Sequence, residues 1–382
     1  MKKLIAMLLA MVMVLGLFAG AAKTEPPAAD TKTETPAAET PAAETPAEET
    51  PAEETPAAEG AVKTDVIATE GKAAELGIPA AVVLQDTTAL EGKKIGWSSI
   101  CYKGDEWCAA LAQALEALGA YYGADIVCED GDLNDETQTK QIENMISNNV
   151  DIIMVDPITP DGSGIALTNA VEAGIPVIIY DGYWTDGEEK AVTTVTWDQK
   201  ATGTLVGEYF VNYVKENNGG KCRVVELTNA VSTHCQERFV GLHEVIDAAN
   251  ADGCEIEILN KYDSQGNRET AYNAISAIVE PYDYIISDVD NGAMGAVAAL
   301  QAVGNTDVKV FSMGAYGAEP FGKLHDNDVN YQACLNVDAW VLAQFIYEGA
   351  ISYFEGKDVP TKTNIDLFVV DGTNVEKFWS FD

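Results

Sequence analysis

Aromatic rings and carboxylates recur together where apolar stretches of this chain end. The run 94–99 is followed by Tyr102, Asp105, Glu106 and Trp107, and the run 176–180 by Asp181, Tyr183 and Trp184. The run 192–196 ends in Trp197-Asp198, and 223–227 leads to His234, Gln236 and Arg238. Asp290 and Asn291 follow 284–287, and Tyr316 follows 308–313. The negative face of an aromatic ring attracts the slightly positive C–H face of a sugar ring. Carboxylates and amides can bond several hydroxyls at once. Trp107, Trp184 and Trp197, at neighbouring strand ends, form the most specific group for stacking on a ligand. Asp181, Asp290, Asn291 and Gln236 are the expected hydroxyl-bonding set, with Asp105 or Glu106 near the mouth. Trp97 lies inside an apolar run and is expected in the core. Arg238 can face a ligand or pair with a local carboxylate, and His234 reads as a loop histidine.

Other chemistries lack their residues. No GxxxxGK[ST] phosphate loop and no GxSxG elbow after a strand are present. Asp130, Asp132 and Asn134 begin like a calcium loop. Asp135 at its sixth position and Gln141 at its twelfth do not complete one. Three His residues and no CxxC give no zinc spacing. Neither metal nor cofactor is expected. Asp181, Asp198 and Asp290 leave paired-carboxylate glycoside hydrolysis as the enzymatic alternative.

The elements that must hold these residues alternate. Strand-like runs at 94–99, 125–128, 151–155, 176–180, 192–196, 223–227, 255–259, 284–287 and 308–313 are separated by helical patterns. The helices are expected over 107–118, 136–147, 164–173, 202–215, 237–249, 269–279 and 294–302. That cadence predicts an α/β fold with parallel sheets covered by helices on both faces. In 382 residues it fits two doubly wound lobes better than one sheet. In such sheets a ligand binds beyond the carboxyl ends of the strands.

Lys2 and Lys3 precede an apolar run over 4–18, and Ala19-Gly20-Ala21 suits a signal peptidase, so residues 1–21 read as a cleaved signal. No Cys follows the run as a lipoprotein start would require. Residues 22–60 carry TPAAE or TPAEE five times from Thr35 to Glu59, which predicts a solvated spacer. A lead-in over 61–92, with one short helix, precedes the alternation. The protein is expected to be exported, to the periplasm or the cell surface. A net charge of −38 repels nucleic acid and anionic lipid, so neither is an expected partner. Seven Cys leave at least one thiol unpaired. Cys222 with Cys254 and Cys101 with Cys108 are candidate pairs, and buried thiols are the alternative.

Several segments carry a resemblance in order and spacing: Lys94-Ile-Gly-Trp-Ser-Ser, Asp151-Ile-Ile-Met-Val-Asp-Pro and Ala173-Gly-Ile-Pro-Val-Ile-Ile-Tyr-Asp. Val224-Val-Glu-Leu followed by Glu237-Arg238 and Gly241, and Ser287-Asp-Val-Asp-Asn-Gly-Ala-Met-Gly-Ala, continue it. From about Lys94 to Val370 the chain resembles the type I periplasmic sugar-binding proteins of ABC importers, the ribose- and galactose-binding group. The resemblance implies two lobes joined by three crossings, near 196–199, 336–338 and 367–371, closing on a ligand by hinge motion. One lobe would combine 93–198 with 337–366, the other 199–336 with 367–382. It also implies a monomer working with an ABC permease, and a ligand contact from Asn336 at the second crossing. The polar set that fits ribose is not kept: Gly182, Gln236, Val289 and Gly314 stand where ribose binders carry Arg, Arg, Asn and Asp. A larger sugar, a disaccharide or a nucleoside is the better expectation. A secreted glycosidase or nucleosidase and a ligand-sensing receptor module are the alternatives.

Overall fold

In a computed structural model of the chain, residues 67–68, 70–100 and 106–381 are described. The signal, the spacer, Cys101, Tyr102 and Asp105 lie outside the described residues. The lead-in forms α1 (Gly71–Glu75) and docks onto the fold, burying Ile78, Val82 and Leu90. Its backbone is tied down where Val83 N donates to Gln344 Oε1 (2.8 Å) and Gln85 N to the Tyr122 hydroxyl (3.1 Å).

The first layer set comprises β1 (Lys94–Ser99), α2 (Glu106–Tyr122), β2 (Asp125–Asp130), α3 (Asp135–Ser147), β3 (Ile152–Val155), α4 (Gly164–Glu172), β4 (Val177–Tyr180) and β5 (Thr193–Thr196). β3 and β4 read IIMV and VIIY, and every residue of both is buried. Unbroken β-branched, apolar strands are the mark of a parallel sheet covered on both faces. Trp97 is wholly buried, and its Nε1 donates to the Tyr180 hydroxyl at 2.6 Å.

The chain then builds a second set: α5 (Gln199–Asn218), β6 (Lys221–Thr228), α6 (Thr233–Ala251), β7 (Glu255–Asp263), α7 (Arg268–Ser276), β8 (Tyr284–Ser287), α8 (Asp290–Ala302), β9 (Lys309–Ala315), α9 (Ala318–His325) and β10 (Tyr331–Asn336). It returns through α10 (Ala339–Phe354) and β11 (Lys362–Asn364) to the first sheet, and β12 (Val369–Asp371) closes the second. The strand orders are β11-β5-β4-β3-β1-β2 and β12-β10-β9-β8-β6-β7. All pairings are parallel except β10 with β12. Each sheet reverses direction of growth once, beside β1 and beside β6. A ligand crevice is expected at such switch points.

α5 and α6 touch backbone to backbone through Gly203 and Gly241. A methyl group on Gly203 would collide with the Arg238 carbonyl, and one on Gly241 with the Lys200 carbonyl. Several helices begin under a side-chain cap at the strands' carboxyl ends: Asn134 receives Thr137 N (2.8 Å), Asn267 receives Thr270 N (3.1 Å) and Asp338 receives Trp340 N (2.9 Å).

Cys222 and Cys254 are both free thiols, which corrects the pairing the sequence suggested. The β6–β7 register sets Cys222 opposite Ile256, two residues beyond Cys254, and the Cys222 side chain packs into the core between α5 and α6. Among the described residues, no helix is long and apolar enough to cross a membrane.

Candidate functional site

A cavity of about 540 Å³ lies where the carboxyl ends of the two sheets face each other. From the first sheet's side it is lined by Ile100, Trp107, Cys108, Asp132, Leu133, Asp181 and Trp197. Asn229, Ser232, His234, Arg238, the 265–268 loop, Asp290, Asn291, Gly314 and Tyr316 line it from the second, with Val337 at a crossing. A concavity of about 570 Å³ at the start of β6 and β7 has no ring in its lining. Its two cations pair with neighbouring carboxylates, Lys221 with Glu255 at 2.5 Å and Arg223 with Glu257 at 3.4 Å.

In the facing cavity the rings are held rigidly. Trp107 Nε1 donates to the Val337 carbonyl (2.8 Å), and its ring meets Trp197 edge-on, 6.1 Å between centroids at 70°. Trp197 is only 2 % exposed, and its Nε1 is buried without a hydrogen-bond partner. Tyr316 is buried, edge-on to Trp379 at 5.8 Å. Burying a donor with nothing to bond is costly. Asn229 Oδ1 on the opposite side is an acceptor in the same condition.

The polar groups form chains. Arg238 is 7 % exposed, and it donates from Nε to Gln199 Oε1 (2.8 Å) and from Nη1 to the Asp288 carbonyl (2.8 Å). Gln199 Nε2 in turn donates to Asp181 Oδ1 at 3.4 Å. The α5–α6 glycine contact brings Gln199 and Arg238 within reach, and a side chain at Gly314 would crowd the guanidinium, 2.9 Å from Nη1. Arg238 therefore lines the cavity and organises the loops at once. Asp288 beneath it is fully buried, and desolvation raises its carboxyl pKa, partly offset by bonding from Asn229 N and by the Arg238 charge. Asn291 Oδ1 accepts from Arg268 Nε (3.0 Å), and Arg268 Nη1 reaches Glu319 Oε2 (2.6 Å). Asp290 Oδ1 accepts from Asn291 N at 2.8 Å. Burial, aided by Arg238, holds the His234 pKa below its usual 6.5, against the pull of Asp181 and Glu237.

Of the residues singled out in the sequence, Trp107, Asp181, Trp197, Arg238, Asp290, Asn291 and Tyr316 line this cavity. Tyr102 and Asp105 lie outside the described residues. The other six go elsewhere. Trp184 is a core residue: the loop after β4 folds back, Thr185 N bonding the Pro160 carbonyl at 2.9 Å, and buries the indole to 2 % exposure beside Gly187. Asp198 caps α5 through Ala201 N (2.8 Å). Gln236 spends its amide on Thr228 Oγ1 (2.8 Å) and the Asn229 carbonyl (2.9 Å). Asn336 is buried at the crossing, its N donating to the Phe368 carbonyl at 3.0 Å. Glu106 lies against Gly317, where a methyl group would stand 3.2 Å from Oε1. Tyr183 bonds Glu237 instead of lining the cavity.

Asn229, Leu133 and the 265–268 segment are not among the sequence's candidates, and Asp132 enters there only as part of an incomplete calcium-like loop. Their signal was position: each follows a strand end. Asp132, Leu133, Asp181 and Gln265 also adopt φ between 51° and 55°, backbone that side chains other than Asn and Asp rarely accept. Leu133 holds it with its side chain 68 % exposed at the cavity wall. Among the described residues, no cluster of three or more His, Cys, Asp or Glu could hold a metal ion.

Comparison with known proteins agrees with this geometry. The family model described as periplasmic binding protein domain matches residues 95–358. A galactofuranose-binding protein of Escherichia coli (strain K12) is 26 % identical over 249 residues, covering 62 % of this chain and 75 % of its own. A D-apiose import binding protein of Actinobacillus succinogenes is 27 % identical, covering 70 % of this chain and 84 % of its own. Among solved structures, an ABC transporter solute binding protein from Bacillus halodurans C-125 with bound myo-inositol superposes with a TM-score of 0.68 at 22 % identity. It covers 76 % of this chain and 98 % of that one, and supports the fold alone. The relatives are named for binding and import, and the hydrolase alternative is not favoured. The family match spans most of the described lobes, and this chain belongs to the periplasmic binding protein domain family.

Proposed function

We propose that this protein captures a neutral, polyhydroxylated ligand, a sugar or a cyclic polyol, between its lobes and delivers it to an ABC importer. The observation that carries the reading is the facing cavity, with Trp107, Trp197 and Tyr316 as rings and Asp181, Asp290, Asn291 and Arg238 as hydrogen-bonding groups. The rings take the C–H face of the ligand, and the carboxylates and amide take its hydroxyls. Relatives named for galactofuranose and apiose support a sugar.

In this reading the lobes are 93–198 with 337–366, and 199–336 with 367–382, closing about the three crossings. Residues 1–21 direct export, and the 22–60 spacer holds the monomer off a membrane or wall without a lipoprotein Cys. The permease is the macromolecular partner, and nucleic acid is not one. No bond is made or broken.

Thermal unfolding and calorimetry against aldopyranoses, furanoses, cyclic polyols, disaccharides and nucleosides test the proposal, after unfolding and refolding to strip any co-purified ligand. A ligand at 100 times its Kd should add about 2.7 kcal/mol. Saturable binding of one polyhydroxylated class supports the reading; a flat panel overturns it.

A further inference from the structure

Tyr183 stands in the loop after β4, on the first sheet's side, yet its bonding is to the second. The hydroxyl donates to Glu237 Oε2 on α6 at 2.8 Å. Its ring meets the His234 ring edge-on, 5.1 Å between centroids at 68°. Lys362, on β11, places Nζ 5.7 Å from the same ring centroid. Tyr183 and Glu237 are absent from the cavity lining whereas His234 is part of it, so it is the Tyr183–Glu237 bond that joins the lobes without passing through ligand space.

We propose that Tyr183, with Glu237, is an interlobe latch that sets how readily the cleft closes and leaves ligand choice to the cavity. Its geometry suits the task. A phenol bonding a carboxylate makes one of the stronger hydrogen bonds available to neutral donors. Burial and the Glu237 carboxylate both push the Tyr183 hydroxyl pKa upward, so it remains a donor across neutral pH. A contact made only in the closed form shifts the closed population, and apparent affinity scales with that population. Every ligand then gains by the same factor, which separates a latch from a ligand contact.

The inference rests on the capture reading for its ligand arm, but not for its conformational arm. Tyr183→Phe keeps the ring against His234 and removes the bond. Paired unnatural-amino-acid spin labels at exposed Ile165 and Val303 report the interlobe distance without any ligand. The wild type should show a closed population that falls about tenfold relative to the open one in Tyr183→Phe. For whichever sugars bind, Kd should rise by one common factor through faster dissociation. The ligand-free Tm should fall by no more than about 2 °C, and Glu237→Gln, which keeps an acceptor, should fall between. A wild type without a closed population, a distance distribution that Tyr183→Phe leaves unaltered, or a changed order of ligand preference overturns the latch. If no sugar binds, the distance measurement still decides the latch, and only the capture reading fails.

Discussion

The two walls of the cleft share a strand order, differing at the antiparallel edge strand β12, and offer different surfaces. The first wall offers broad, rigid surface: Trp107 locked to the Val337 carbonyl, and Trp197 packed against it. The second offers direction: Arg238, Asn291 and Asp290 already sit in hydrogen-bonded chains that fix where each polar atom points. Surface contributes by area and tolerates many ring shapes, whereas fixed dipoles discriminate between neighbouring hydroxyl patterns. Ligand identity should therefore follow the second wall, and general affinity for ring-shaped ligands the first.

The contrast can be broken most severely by a residue that shares its type with the first wall but not its place. Trp184→Ala should cost about 3–5 kcal/mol in denaturant unfolding, because it empties a core site, while ligand affinity per folded molecule stays the same. Arg238→Ala should remove about 3 kcal/mol of stability by leaving Gln199 and buried Asp288 without their cation, and it should also abolish binding. Chemical unfolding followed by calorimetry separates the two losses.

Asp338, at the crossing between the walls, is fully buried, and desolvation raises its carboxyl pKa from 3.8 to about 7 despite bonds from Val341 N and Trp340 N. A raised acid pKa means that the folded state holds a proton which the unfolded state has released. Its contribution is therefore favourable at low pH and is lost as pH climbs from about 4 to about 7. Asp338→Asn keeps the cap and should gain about 2 kcal/mol at pH 8 with a flatter unfolding profile; an unchanged pH slope would refute this. The smallest effect tests the first wall itself. Trp197→Phe keeps a ring but trims a core-packed indole and deletes its N–H, so Kd should rise up to about tenfold with about 1 kcal/mol lost in denaturant unfolding.

The unbroken apolar runs of β3 and β4 made the parallel sheets legible before any coordinates, since only a doubly covered sheet accommodates IIMV and VIIY. β10, with Gln332 and Asn336 among its six residues, and the three-residue β11 and β12 carry no such pattern. They exist because neighbouring strands already present an edge. The site divides similarly. Strand ends identify which loops face the cleft, but not which side chain in a loop turns inward. Trp184 and Trp197 are alike in their local sequence setting. They part because Thr185 bonds back to Pro160, a contact between segments that the chain separates by 25 positions. His234 was undervalued for the same reason: its neighbours, Asp181 and Tyr183, come from the other lobe.

The contact of Gly203 with Gly241 has a mechanical meaning. α5 starts at the crossing itself, under its Asp198 cap, and α6 carries Arg238 into the cavity. With their backbones in direct touch the two helices have no slack between them, so, on the proposed closure, a small rotation at the crossing would carry the guanidinium with it. In the proposed closure the pair would act as a lever with its fulcrum at residue 198 and its working tip at residue 238. Cavity residues could then be exchanged for new ligands while that gearing is kept, and any side chain added at either glycine would introduce backlash.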